Sequence, residues 1–193
     1  MSRSSSSRAR RLAAAALALV ALTWTHAAGA ESLRFRIQPE ASEITFRATS
    51  RLMNADGRFS RFSGDVVVDP AVLTGARITL TIEADSLDTD IEMRDRHLRS
   101  SDFFDVERFP TVAFQSVRVE SGGRRATVVG RLTLHGVTRE IAVPIDVQIT
   151  NTALVASGEF IVNRGEYAMN YDSFLNPIGN EVRVAFTFRA RVP

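Results

Sequence analysis

The sequence predicts an all-β fold: an antiparallel, lipocalin-like barrel of about eight strands, with a short helix near residues 90–101. Three observations carry this. Apolar and polar residues alternate with period two along most of the chain, as in strands with one oily and one wet face. Turn-forming stretches separate the runs, at "ADG" 55–57, "SGD" 63–65, "SGG" 121–123, "LHG" 134–136 and "NPIGN" 176–180. One segment, "DIEMRDRHLRS", breaks the alternation. Strands with a single apolar face must pair into a sandwich or close on themselves, and closure also removes exposed edges.

The chain begins with a basic stretch carrying Arg3, Arg8, Arg10 and Arg11, then an apolar run from Leu12 to Trp24, then Ala28 and Ala30 at small-residue cleavage spacing. About 13 apolar residues are too few to span a bilayer, so residues 1–30 read as a cleaved signal peptide. The domain expected to remain is 31–193, in the periplasm or outside the cell. The leader holds four of the 24 bases and none of the 22 acids, so the formal charge goes from +2 to −2 on its removal. The basic pI therefore gives no argument for nucleic-acid binding. Lysine is absent, which excludes Schiff-base chemistry. Cysteine is absent too, which excludes disulfides, thiolate metal sites and acylation on cysteine.

The strands follow in order. Ile44, Phe46 and Ala48 alternate with Glu43, Thr45 and Arg47. Ile78, Leu80, Ile82 and Ala84 alternate with Thr79, Thr81, Glu83 and Asp85. Thr89 followed by Glu92 reads as a capping box opening the helix. Between 111 and 120 the apolar phase slips from Val112 and Phe114 to Val117 and Val119, which predicts a bulge near Gln115–Ser116. Ala126, Val128, Gly130, Leu132 and Leu134 share a face. Val137, Ile141, Val143, Ile145, Val147 and Ile149 form the longest series. Val182, Val184, Phe186, Phe188 and Val192 close the chain.

"DRHLRSSDFFDVERFPTVAFQS", 95–116, concentrates the candidate chemistry. His97 with Asp102 or Asp105 is the only arrangement there that suggests catalysis. His97 and His135 stand in no recognised metal-ligand spacing, so no metal site is expected. There is no nucleophile elbow, and Ser100 and Ser101 follow His97 too closely for a triad. Arg94, Arg96 and Arg99 suggest an anion site; the simpler reading is a solvated helix face paired with Glu92 and Asp95. Phe103, Phe104, Phe109 and Phe114 read first as anchors for the helix and its loop. The same rings would form an apolar rim.

"HLRSSDFFDVERFPTVAFQS" followed by "VVGRLTLHGVTREIAVPIDV" resembles the YceI-like family of polyisoprenoid-binding, lipocalin-like exported proteins. The upstream "GRFSRFSGDVVVDP" and "SLDTDIEMRDRHL", the late "VNRGEYAM" and the last strand "IGNEVRVAFTFRA" extend the resemblance over nearly all of 33–191. Ala168 stands where the family pattern has glycine, and "RATSRLMNADGRF" lacks a histidine that many members carry. The resemblance implies an elongated barrel with a helix beside it and an apolar tunnel taking an isoprenoid chain.

On that reading the protein is a non-enzymatic carrier of a quinone or polyprenyl lipid, without a cofactor, making transient membrane contact. The sequence leaves monomer and homodimer open. Alternation assigns Phe46, Ile78, Leu80, Ile82, Phe114, Leu132, Ile141, Val143, Phe160, Val162, Phe186 and Phe188 to the inner face. Phe103 and Phe104 fall at the rim, with Asn163, Arg164 and Tyr167 as candidate head-group contacts. Two rivals stay open: an enzyme acting on a lipid or quinone, and a barrel filled by its own side chains that serves as a stress or interaction module. A core and a lipid tunnel use the same residue types.

Overall fold

The alternating runs form eleven strand segments in the computed structural model, which describes residues 32–174 and 176–193. They are β1 Leu33–Ile37, β2 Glu43–Ser50, β3 Ala55–Phe59, β4 Phe62–Asp69, β5 Val72–Glu83, β6 Leu87–Asp88, β7 Thr111–Ser121, β8 Arg125–Leu134, β9 Val137–Ile149, β10 Ala153–Asn163 and β11 Ile178–Arg191. Helix α1, Glu92–Arg99, lies between β6 and β7. The expected signal peptide falls outside the described residues.

Every pairing is antiparallel, and β1 pairs with both β4 and β11, which closes the sheet. The ring runs β1-β4-β5-β7-β8-β9-β10-β11, an eight-stranded barrel. Segments β2, β3 and β6 continue its first three strands beyond short breaks at Pro39–Ala41, Ser60–Arg61 and Ala84–Ser86. They pair with β11 and with one another, so one side of the wall is prolonged past the breaks. Hydrogen bonds stitch the breaks together, Ser60 N–H to Ser86 O at 3.2 Å and Glu83 N–H to Arg61 O at 3.0 Å. Helix α1 lies at this prolonged end.

The β8–β9 hairpin turns on His135 and Gly136 alone, with φ of 50° and 73°. Two consecutive positive φ values make the type I′ turn that matches the strand twist, which explains the "LHG" signal. The expected bulge exists one residue later than read, between Ser116 and Arg118, where it turns Val117 outward. The capping box does not form. Ile91 occupies the N-cap without a side-chain bond, and Thr89 is held instead by Asp95. Val192 lies beyond β11 and is exposed, so Ala190 is the last inward residue of that strand.

One pair of neighbours parts company. β9 and β10 are joined only from Leu154–Ile149 to Gly158–Ile145. The next residue on β9 is Pro144, which has no N–H to give, and the ladder stops there. Beyond it β9 pairs only with β8 and β10 only with β11. The turn after β10 ties the far end of this seam to β9, with His135 Nδ1 donating to Tyr167 O at 3.1 Å and Arg139 Nε to Glu166 O at 3.3 Å.

Candidate functional site

The inward faces do not fill the barrel. They enclose two chambers, an inner one of about 150 Å³ and an outer one of about 290 Å³ toward the helix end. Ile44, Ile82, Val112, Leu132, Phe160 and Val184 line both, so the chambers adjoin end to end. Of the residues assigned by alternation, Ile78, Leu80, Phe114, Ile141, Val143, Phe186 and Phe188 line the inner chamber. Phe46 and Val162 line the outer, and Ile82, Leu132 and Phe160 line both. Ile44, Val112 and Val184 share these faces; their parity was legible, though they were not singled out.

Three glycines keep the bore open. A Cβ at Gly57 would fall 2.8 Å from Phe46 Cε1, one at Gly130 2.6 Å from Phe114 Cε2, and one at Gly158 2.8 Å from Phe186 Cζ. Each ring lies across the bare backbone of the neighbouring strand and so rests against the wall instead of across the lumen. Phe186 stacks on Phe188 with centroids 4.8 Å apart, which continues the lining.

The two chambers differ in polarity. Among the described residues every side chain lining the inner one is apolar. The outer one adds Ser50, Arg94, His97, Arg164 and Asn176. It reaches the surface at Met53, which is exposed, beside the half-buried Asn176. An aromatic cluster builds this mouth. Phe59 bridges Phe46 at 5.5 Å and Phe104 at 5.9 Å, while Phe103 packs against Tyr171 at 4.9 Å. Phe103, which is buried, and Phe104, which is half-buried, both line the outer chamber. Phe109 instead packs against His135 and fills the space above Gly136.

The three candidate head-group residues are engaged elsewhere. Arg164 is buried, and its guanidinium donates to the carbonyls of Met169 (2.7 Å), Tyr171 (2.8 Å), Gly179 (3.1 Å) and Ile178 (3.1 Å). It ties Met169 and Tyr171, after the β10 turn, to the start of β11 at Ile178 and Gly179. The Asn163 side chain accepts from Gly165 N–H at 3.1 Å and caps the turn Arg164–Tyr167. Tyr167 is 1% exposed, in the core. Burial pushes its phenol above the ordinary value, and Glu166 adds to this. Named from the sequence as candidate head-group contacts, they are engaged by the fold itself: Asn163 and Arg164 by backbone partners and Tyr167 by the core.

The anion reading is changed in the same way. Arg94 donates to Thr89 Oγ1 and Thr89 O, both at 2.8 Å, and Arg99 Nε donates to Asp85 O at 2.9 Å. Asp95 is buried and accepts from Thr89, so it is not part of a solvated ion-pair face. His97 meets Asp102 at 3.0 Å with both side chains about half exposed, and its ring packs edge-on against Phe103 and Tyr171. Asp105 is buried with φ 45° and pairs with Arg108 at 3.3 Å. No group of three His, Cys, Asp or Glu suited to a metal occurs among the described residues.

Residues 35–190 match the family model described as YceI-like domain. A UPF0312 protein of Pseudomonas aeruginosa is 39% identical over 87 residues, which is 45% of this chain and 46% of that protein. One from Vibrio vulnificus is 40% identical over 88 residues, 45% of this chain and 47% of its own. These alignments thus span about half the length of the curated relatives. Among solved structures, Burkholderia cenocepacia BcnA superposes with a TM-score of 0.74 at 22% identity, covering 79% of this chain and 98% of that one. A polyisoprenoid binding domain from Saccharophagus degradans, implicated in plant cell wall breakdown, gives 0.68 at 18% identity over 83% and 99%. At such identities the likeness is one of fold.

Proposed function

The chain belongs to the YceI-like domain family, and on that premise we propose that it is a non-enzymatic carrier that holds an isoprenoid lipid, of quinone or polyprenyl type, tail first in its tunnel. The observation that carries this reading is the polarity gradient. The inner chamber is lined by apolar side chains alone, and polar groups enter only in the outer chamber, which opens to the surface. An amphiphile with a long hydrocarbon tail and a small polar head has the same gradient.

Removing the tail from water contributes about 25 cal/mol per Å² of apolar surface buried. Ordering the chain offsets much of that, and the lipid's alternative environment is a membrane, not water. The expected behaviour is exchange with membranes in the compartment to which the leader directs the protein, read here as the periplasm. No cofactor is invoked.

Native mass spectrometry of the protein, gently purified from its own compartment, followed by solvent extraction, tests the reading. A discrete added mass that extracts as a prenyl lipid supports it and identifies the cargo. A bare mass that stays bare after incubation with quinones and polyprenyl lipids sinks it in favour of a barrel without a lipid ligand that serves as an interaction module. A second reading, catalysis on a lipid or quinone head group, has the His97–Asp102 pair at the mouth in its favour.

A further inference from the structure

We propose that the rim of the outer chamber is a membrane-docking collar: Leu52 and Met53 on the β2–β3 turn, Ile91 and Met93 at the start of α1, and Phe174 on the loop before β11 enter a lipid bilayer and seat the open mouth against it. The inference rests on the carrier reading and says where the lipid is taken up.

Among the described residues nine large hydrophobic side chains are exposed, and five of them belong to these three segments. Phe174 is 98% exposed, Met93 74%, Leu52 73% and Met53 63%. The segments are joined in a ring. Arg51 N–H donates to Pro177 O at 3.2 Å, and Leu52 N–H to Asn176 Oδ1 at 3.0 Å. Arg94 Nη1 donates to Asn54 O at 3.3 Å, and the His97 and Tyr171 rings meet at 4.9 Å. Met53, Arg94, His97 and Asn176 also line the outer chamber, so the ring encircles its mouth.

A bilayer fits this arrangement. The apolar groups stand on separate tips around a hole, so a protein partner would have to plug the opening that a ligand needs. A fluid apolar phase surrounds such tips and is continuous with the chamber behind them, so a hydrocarbon tail crosses without passing through water. Two exposed guanidinium groups, Arg51 beside Leu52 and Arg96 on α1, have no carboxylate within ion-pair distance among the described residues and suit the phosphate level. Rim acids Asp90 and Asp102 are taken up by Arg58 and His97. Glu92 and Asp172 balance the two arginines, so insertion of the collar and not net charge drives docking.

The test is flotation of the purified protein with phosphatidylcholine–phosphatidylglycerol vesicles, alongside uptake of a prenyl quinone from those vesicles and from detergent micelles. The forms compared are the native protein, a Leu52→Asp/Phe174→Asp double variant, and Val72→Asp, an exposed site away from the collar. The native protein and Val72→Asp are expected to float, whereas the double variant loses flotation and vesicle uptake by about tenfold or more with micelle uptake unchanged. Equal flotation of the double variant, or no flotation of any form, overturns the collar while micelle uptake leaves the carrier standing. Collar-dependent flotation without quinone uptake by any form keeps the docking surface and removes the cargo.

Discussion

Phe46 and Gly57 face each other across β2 and β3, and the ring occupies the space that a side chain at 57 would take. The nearest neighbours of a Cβ there are side-chain atoms of Phe46 and Thr89, not backbone. Gly57→Ala should therefore swing the Phe46 ring into the outer chamber, where Phe59 already stands 5.5 Å away. Overpacking of this kind costs about 1–3 kcal/mol. The expected outcome is a folded protein whose affinity for a prenyl quinone falls at least as much as its stability. Undiminished binding in a titration would show that the ring position is irrelevant to the bore.

Phe186 and Phe114 line the inner chamber and lie across Gly158 and Gly130. Phe186→Asp or Phe114→Asp places a carboxylate in a wall with no partner for it, a cost of several kcal/mol for an unpaired buried charge. Lipid retention should be abolished. The check is native mass spectrometry on variants whose circular dichroism confirms the β fold, and a folded variant that kept its lipid would rule out that face as the binding wall.

His97 is expected to be dispensable for retention. In His97→Ala the edge contacts to Phe103 and Tyr171 and the 3.0 Å bond to Asp102 are lost, but the inner chamber is untouched. Bound lipid should be chemically unchanged and present in the same amount. Accumulation of an altered or unprocessed lipid in this variant would revive the catalytic reading.

Ala168 sits at φ 59°, in the left-handed region that L-residues with a Cβ avoid at a cost of about 1–2 kcal/mol. Ala168→Gly removes that strain and gives back part of it as extra freedom of the unfolded chain. A net gain of about 0.5–1 kcal/mol is expected in chemical denaturation. A loss would mean that the methyl group packs usefully.

The Tyr167 hydroxyl is buried without a hydrogen-bond partner among the protein groups described. Tyr167→Phe should leave stability level or raise it by about 1 kcal/mol, since an unsatisfied buried polar group is removed. The phenol also sets a pH dependence. The unfolded chain releases its proton near pH 10, whereas burial holds it on the folded chain above that value. Stability is full below that pH and declines as pH rises past it. Denaturation melts on either side of pH 10 should show a steeper alkaline loss in the native protein than in the phenylalanine variant.

Much of this architecture is written in local pattern. The period-two runs from Ile78 to Ala84 and from Val137 to Ile149 specify which side chains share a face, because a strand turns successive residues to opposite sides. The inward set could be named from them, as could the His135–Gly136 turn and the slip near Val117. The helix was legible as a break in alternation; its start was not, because Asp95 reaches back to Thr89 across six residues and replaces the capping box expected from Glu92. Strand β10 was hard to see, since Ser157 and Gly158 dilute its pattern and Ile161 points outward.

What the sequence determined by itself is the fold class and the identity of the inward faces, since alternation is a property of a single strand. Whether those faces meet or stand apart depends on the curvature of the closed sheet and on cross-strand neighbours such as Phe46 over Gly57, far from local spacing. The commitment of Arg164 to four carbonyls, the stop at Pro144 and the collar at the mouth are likewise relations between segments distant in the chain. Only tertiary structure decided them, because a side chain's partners are set by closure of the barrel and not by its neighbours in sequence.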